Sequence, residues 1–358
     1  MSNTNLHKAK RERNDEFYTQ MEDVVAELQH YKAHFKGNVV YCNCDNPSQS
    51  NFYKYFAANY TALGLKDLLF NAYQDENHGD FRSEQAIAKL KRADIVVTNP
   101  PFSLFREFMA QLVEYDKEFI ILGPTNALGY LSVFNLFKTD KVWAGVNNKP
   151  LTFDTPSGTS KAVPICWFTN LDHNNYREPL VLTETYDPDK YPTYENYDAI
   201  NVDRLDKIPM DYTGVMGVPI TYLLRHKTKQ LNLLGLGVSE AGRSVGVGPY
   251  KPEHAEYRKT VQKSGVVEGD LYYMKDGVPT KPYYRVLVDN PQFNLIGIGK
   301  SAMGTSVGVQ PTLPAHQKQH LDMKKGGISN GTVYYMKDGQ PVLPYYRVLI
   351  QTKEQSSD

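Results

Sequence analysis

The sequence predicts an α/β fold, one doubly wound sheet followed by a β-rich C-terminal region, and three observations carry that reading. Short apolar strands alternate with helical patterns from residue 14 to about 170, as successive strand–helix units require. One strand, Ile95-Val96-Val97, runs into Asn99-Pro100-Pro101-Phe102, where two prolines remove backbone donors and hold off helix until Ser103. Towards the C-terminus a module occurs twice at a constant offset of 62 residues, from Leu231 to Phe293 and from Tyr272 to Tyr334.

Residues 1–13 are polar and basic, with Lys8, Lys10, Arg11 and Arg13, and are expected to form a flexible arm. A helical pattern then runs through Val24, Val25, Leu28 and Tyr31. Thr19 suits two roles: N-cap of that helix, with Glu22 completing a capping box, or ligand contact. Val39–Cys42 reads as a buried strand, Asn43–Ser48 as the turn behind it, and Asn51–Tyr60 as an aromatic-rich helix. In a nucleotide-binding strand–helix unit that first turn cradles the cofactor, usually with glycines; here Asn43, Asp45 and Asn46 stand in it. Lys66–Tyr73 is a second strand, and Asp75 or Glu76 beyond it is available to a ribose. Asp80 either accepts a bond from an adenine amine, with Phe81 against the ring, or caps the helix that ends at Arg92.

Beyond the proline corner, Leu104, Phe105, Phe108, Met109, Leu112 and Val113 recur at helical spacing. Phe119–Leu122, Val142–Val146 and Val163–Phe168 are further strands. From Leu171 to Pro209 the composition shifts to Asp, Asn, Pro and Tyr without periodicity, which marks a connection. Each copy of the repeat, 231–288 and 293–350, reads as an apolar strand, a Gly/Ser loop and a hairpin turning at Lys-Asp-Gly. The loops 241–246 and 303–308 suit close backbone approach to a ligand. The pairs Tyr283-Tyr284 and Tyr345-Tyr346 either face a nucleic acid or alternate along a packed strand, packing being the expectation for at least one of each pair. The domains expected are thus an arm (1–13), a catalytic domain (14–170), a connection (171–210) and a C-terminal region (211–358).

At 358 residues the chain has room for two domains and a sizeable core. Forty basic residues balance forty acidic ones, so any nucleic-acid contact must be a local basic face. Lys8, Lys10, Arg11 and Arg13 make one basic cluster and Arg225, Lys227, Lys229, Arg243, Lys251, Arg258, Lys259 and Lys263 another; Arg225, Lys227, Lys229 and Arg243 with Ser244 are the candidates, and solvated surface charge is the expectation for any one of them taken singly. Three cysteines argue against a disulfide framework, and Cys42-x-Cys44 lacks a second ligand pair, so no metal site is expected. No apolar run reaches membrane-spanning length and the charged start is no signal peptide, which predicts a soluble cytoplasmic protein.

The corner itself points to chemistry on a planar amine. The N6 nitrogen of adenine is a poor nucleophile because its lone pair is delocalised into the ring. The Asn99 side-chain oxygen and the Pro100 carbonyl can together accept its two N–H bonds and push the nitrogen towards tetrahedral geometry. Pro101 stiffens the bend, and Phe102 offers a face to a base turned out of its stack.

Five segments carry a family resemblance. They are Asn14-Asp15-Glu16-Phe17-Tyr18-Thr19-Gln20, Gly79-Asp80-Phe81-Arg82-Ser83, Asp94 to Phe105, Cys166-Trp167-Phe168-Thr169-Asn170 and Gly214 to Ile220. Together they resemble adenine-N6 DNA methyltransferases of the EcoRI type, over residues 14 to about 288. The resemblance implies a Rossmann-like S-adenosylmethionine-dependent sheet with a C-terminal β-rich target-recognition region. It makes Asn99, Pro100, Pro101 and Phe102 the catalytic motif and sets Asp15, Glu16, Phe17, Tyr18 and Thr19 against the donor; Asn43, Asp45, Asp80 and Phe81, read above from the turns themselves, complete the expected cofactor contacts. It implies double-stranded DNA as substrate and action as a monomer without a metal, independently of any restriction endonuclease. Two other readings remain: a methyltransferase on cytosine N4, RNA guanine or protein glutamine, and a catalytically inactive DNA-binding protein, for which the glycine-free turn at Asn43–Ser48 speaks.

Overall fold

The computed structural model describes residues 19–45, 47–71, 80–148, 151–154, 160–173, 180–225, 230–261, 267–290, 293–298, 335–337, 340–342 and 348–352. The chain divides into two compact units, Met1–Asp289 and Asn290–Asp358.

The first unit is built on eight strands ahead of residue 170: β1 (Val39–Cys42), β2 (Asp67–Phe70), β3 (Ile95–Thr98), β4 (Glu118–Pro124), β5 (Trp143–Ala144), β6 (Leu151–Asp154), β7 (Ser160–Val163) and β8 (Ile165–Thr169). Six of them form one sheet in the order β2-β1-β3-β4-β8-β5. Strands β1 to β4 run parallel, whereas β8 is antiparallel to both β4 and β5. The reversal follows from the connection: β5 and β8 are joined through the β6–β7 hairpin, and no helical crossover among the described residues carries the chain back.

Helices α1 (Met21–Leu28), α2 (Lys32–Phe35), α3 (Asn51–Ala58), α4 (Tyr60–Leu63), α5 (Glu84–Arg92), α6 (Phe105–Glu114) and α7 (Leu131–Lys138) cover both faces. Side chains alternate along each strand, which decides the layer they join. Val40, Ile95, Val97 and Ile120 pack with Leu28 of α1 and Phe56 of α3, while Tyr41, Val96, Phe119 and Ile121 pack with Phe108 of α6 and Phe134 of α7. Helix α1 starts with Gln20 as its N-cap and no side-chain cap, so Thr19 does not close a capping box with Glu22. Buried Glu27 fastens α1 to the loop after β5, accepting from Tyr31 Oη at 2.8 Å, Val146 N at 2.8 Å and Asn147 N at 2.7 Å.

A second sheet continues the core. It contains β9 (Ile200–Asn201), β10 (Met216–Pro219), β11 (Asn232–Leu236) and, after the hairpin β12 (Tyr273–Lys275) and β13 (Val278–Thr280), β14 (Arg285–Asp289), in the order β11-β14-β10-β9. Met216, Leu233, Val286 and Val288 join the same apolar layer as α6 and α7. The segment expected to be a connection thus supplies an edge strand and the buried Tyr191, Tyr194, Val202 and Ile208. Isolated anchors of this kind leave no periodic trace in a sequence.

Two local expectations are corrected. Residues 241–246 are not a Gly/Ser loop, since α8 (Ser239–Ser244) occupies most of them and is followed by α9 (Pro252–Val261). Gly242 is small there because a Cβ would sit 1.9 Å from the Gly269 carbonyl oxygen, an internal contact. Tyr283 and Tyr284 are both exposed, at 72 % and 44 %, so neither alternates into the core. The buried partner is Arg285, which ion-pairs with Asp203 at 2.9 Å. The Lys-Asp-Gly hairpin forms as expected, with Asp276 and Gly277 at φ 51° and 74°, the left-handed pair that a two-residue turn demands.

In the second unit, β15 (Phe293–Ile298) pairs with β18 (Val348–Thr352), and β16 (Tyr335–Lys337) with β17 (Gln340–Val342). The partners match those of β11 with β14 and β12 with β13 residue for residue, down to a register shift at Leu295/Gly297 where the first copy shifts at Leu233/Gly235. The loop 303–308 and Tyr345-Tyr346 lie outside the described residues.

Candidate active site

From β1 the chain crosses to β2 on one side and then returns to β3 on the other, so the loops after β1 and β3 diverge at the carboxyl edge. Such a switch point opens a crevice where ligands of open α/β sheets bind. The asparagines that follow the first three strands, Asn43, Asn71 and Asn99, stand along this edge.

The Asn99-Pro100-Pro101-Phe102 corner begins where β3 ends at Thr98, and a 3-10 turn over Phe102–Leu104 leads into α6. Pro100 is buried, and Asn99, Pro101 and Phe102 are half-buried. Phe102, with Leu104, Arg106, Glu107 and Tyr130, lines a cavity of about 330 Å³. Of the corner, Phe102 contributes to this lining, and the space is of the right order for a base. Arg106 lies 3.9 Å over the Tyr130 ring, and Glu107 is paired with Arg82 at 3.0 Å.

A clamp joins this corner to the turn after β1. Thr98 Oγ1 donates to Asp45 Oδ2 at 2.5 Å and accepts from Cys44 N at 3.0 Å. Ser50 Oγ donates to Asp45 Oδ1 at 2.5 Å while capping α3 through the N–H groups of Phe52 and Tyr53. Both oxygens of Asp45 are thereby held inside the fold, which makes it a brace for the crevice. Burial pushes its carboxyl up to about 6, the two hydroxyl bonds opposing the rise. Burial likewise drives the Cys44 thiol well above its usual range, with the Asp45 charge adding to it.

The turn after β1 is also tied to β2. Asn71 Nδ2 donates to the Asn43 carbonyl at 2.6 Å, and Tyr41 Oη donates to Asn71 Oδ1 at 2.6 Å. Lys89 Nζ closes the end of β2 by donating to the Phe70 carbonyl at 2.7 Å, and burial lowers its pKa. Asn51 Nδ2 donates to the Thr19 carbonyl at 2.8 Å, which brings Thr19 to the same edge. Thr19 Oγ1 and Asn43 Nδ2 are both buried and have no hydrogen-bond partner among the described residues.

The other sequence candidates fall differently. Phe81 is 2 % exposed and packs edge-on against Phe108 at 5.0 Å, a core position that leaves no open ring face. Asp80 is exposed and grips Arg82 at 2.8 Å, and the cap of α5 is Ser83 rather than Asp80. Arg225, Arg243 and Ser244 are exposed, with Arg243 3.2 Å from Glu268. Asp15, Glu16, Phe17, Tyr18, Lys227 and Lys229 lie outside the described residues, as do Asp75 and Glu76. The sequence reading missed Thr98, Ser50, Asn71 and Tyr130. Only Ser50 had a local signal, a serine directly before a helical run. The three cysteines are free, and no group of three or more His, Cys, Asp or Glu able to hold a metal occurs among the described residues. No helix among them is long and apolar enough to cross a membrane.

A mostly parallel α/β sheet that ends one of its central strands in a proline-stiffened asparagine at the switch point has the architecture of an enzyme that acts on a planar amine. The family profile described as adenine-specific methyltransferase EcoRI matches residues 5–79 and 76–353, and the chain belongs to that family of adenine-specific DNA methyltransferases. Among its relatives, Type II methyltransferase M.EcoRI of Escherichia coli is 41 % identical, across 70 % of this chain and 95 % of its own length. Type II methyltransferase M.MpnI of Mycoplasma pneumoniae is 40 % identical, across 64 % of this chain and 84 % of its own. Type II methyltransferase M.MgeORF184P of Mycoplasma genitalium is 34 % identical, across 64 % and 85 %.

Proposed function

We propose that the chain uses S-adenosylmethionine to methylate N6 of an adenine turned out of double-stranded DNA at a specific site, on a Rossmann-like catalytic domain. The observation that supports this best is the Asn99–Phe102 corner at the switch point, clamped through Thr98 and Asp45, with Phe102 lining the 330 Å³ cavity. The polar atoms left open at this edge suit such a donor. Thr19 Oγ1 and Asn43 Nδ2 are polar atoms buried without partners among the described residues, and each such atom costs about 1–3 kcal/mol unless a ligand satisfies it. Thr19 and Asn43, with the segment Asp15 to Tyr18, would hold the donor. When bound, it supplies an electrophilic methyl group.

The chain's own residues do the rest by positioning. Asn99 Oδ1 and the Pro100 carbonyl accept hydrogen bonds from the two amine N–H groups, orient the nitrogen lone pair and stabilise the charge that develops on the nitrogen. Pro100 and Pro101 keep those acceptors from relaxing, and Phe102 stacks on the ring. Target recognition belongs to the region 211–358, with Arg225, Lys227, Lys229, Arg243 and Ser244 towards the DNA. The chain acts as a monomer in the cytoplasm and needs no endonuclease for methylation.

The test is incubation with methyl-labelled donor and plasmid, followed by digestion to nucleosides. Label in N6-methyladenine is expected; label in N4-methylcytosine, or none, overturns the proposal. A chain ending at Asn290 retains β14 between β10 and β11, so loss of site preference on that truncation would assign recognition to the second copy.

A further inference from the structure

Tyr283 and Tyr284 are unusual among the described aromatic side chains of the first unit, because two adjacent rings are left in solvent on a backbone that is pinned from several sides. Tyr283 is 72 % exposed and Tyr284 44 %, and the rings meet edge to face at 5.0 Å. Arg285 Nη1 donates to the Tyr283 carbonyl at 2.7 Å, and Ile220 N donates to the Tyr284 carbonyl at 3.1 Å. Arg285 is itself buried and held by Asn201 Oδ1 at 3.0 Å and by Asp203. The rings therefore stand on a rigid backbone, which need not be ordered when they meet a partner.

Their place gives that partner a chemistry. A Cβ on Gly129 would lie 3.8 Å from Tyr284 Cδ1, so the pair abuts the turn that follows β4. The next residue, Tyr130, lines the cavity that Phe102 borders. Tyr284 thus lies against the residue that precedes a wall of that cavity, and Tyr283 continues from it into solvent. Uncharged ring faces recognise the flat faces of bases, whatever the sequence. An adenine that leaves the duplex exposes two such faces on its neighbours and leaves a gap between them.

We infer that Tyr283 and Tyr284 are the wedge that fills or flanks that gap, stacking on the bases next to the target and holding the duplex open while the adenine is out. The inference rests on the DNA-methylation reading above and adds to it the residues that keep the base extruded. They act on the DNA's conformation, so they are positioning residues.

The experiment uses the full chain and a synthetic duplex carrying the site at which the plasmid assay above places the labelled methyl group, with 2-aminopurine in place of that adenine, read by the fluorescence rise on extrusion. Replacing both residues, Tyr283→Ala with Tyr284→Ala, is expected to lower the extruded fraction on the order of tenfold, while total DNA binding by filter retention falls much less. The pair Tyr283→Phe with Tyr284→Phe keeps the planar rings and is expected to restore the signal. Wild-type extrusion in the double alanine variant, or no restoration by phenylalanine, overturns the inference. Should the double alanine variant unfold, Tyr283→Ala alone decides, because that ring is largely in solvent: an unchanged signal overturns the inference and a reduced one supports it. A wild-type chain that methylates no DNA would instead remove the parent reading, so the two failures are told apart.

Discussion

Replacing Asp45 by asparagine separates the charge of the brace from its shape. Both carboxylate oxygens accept hydroxyl protons, from Ser50 and from Thr98, and burial raises the pKa to about 6 against 3.8 for a free side chain. A raised carboxyl pKa means that the folded state holds its proton more tightly than the unfolded one. Stability from this group is therefore fully present below about pH 3.8 and is lost as pH rises through about 6. The interval of about 2.2 units corresponds to about 3 kcal/mol in full, of which roughly 2 kcal/mol falls between about pH 7 and pH 4.5. Asparagine does not titrate, so urea unfolding of the two proteins at matched pH isolates the term from every other carboxylate. The wild-type protein is expected to gain roughly 2 kcal/mol on the variant as pH falls over that range. Parallel stability curves, within about 0.5 kcal/mol, would mean that Asp45 is not a buried titrating group and that the clamp is wrongly drawn.

Three more outcomes are expected. Asn99→Ala should cut turnover on the order of a hundredfold or more and leave donor binding by calorimetry nearly intact, because the acceptor acts mainly on the developing charge; unchanged turnover would make the corner merely architectural. Glu27→Ala strands the N–H groups of Val146 and Asn147 and the Tyr31 hydroxyl in a buried site, and should cost about 3 kcal/mol or more in denaturant unfolding; a loss under about 1 kcal/mol would contradict that count. Gly242→Ala puts a methyl group 1.9 Å from the Gly269 carbonyl oxygen, and should lower stability by about 2 kcal/mol or more, read as a fall in thermal midpoint.

The elements of the sheet were legible because their signals are local. Apolar runs such as Val39–Cys42 and Ile95-Val96-Val97 are short enough to be strands, the prolines at 100 and 101 stop helix by covalent geometry, and Asp276-Gly277 turns because those residues tolerate a left-handed backbone. The antiparallel insertion of β8 was not legible, since strand direction depends on how the chain returns and leaves no mark in a run such as Ile165–Thr169. Nor was the exposure of Tyr283 and Tyr284. A Tyr-Tyr-Arg string looks alike whichever residue is buried, and here Asn201 and Asp203, far away in the chain, captured the arginine.

The site divides in the same way. Residue order by itself determined that an asparagine and two prolines end a buried strand, and that matching segments from residue 14 to about 288 mark the family. Only the folded chain decided that Asp45 braces Thr98 across 53 positions, that Asn71 holds Asn43, and that Phe81 belongs to the core while Tyr130 lines the cavity. The physical reason is range. Backbone stiffness and apolar periodicity act over a few residues, whereas burial and hydrogen-bond pairing depend on which distant groups the sheet order brings within 3 Å.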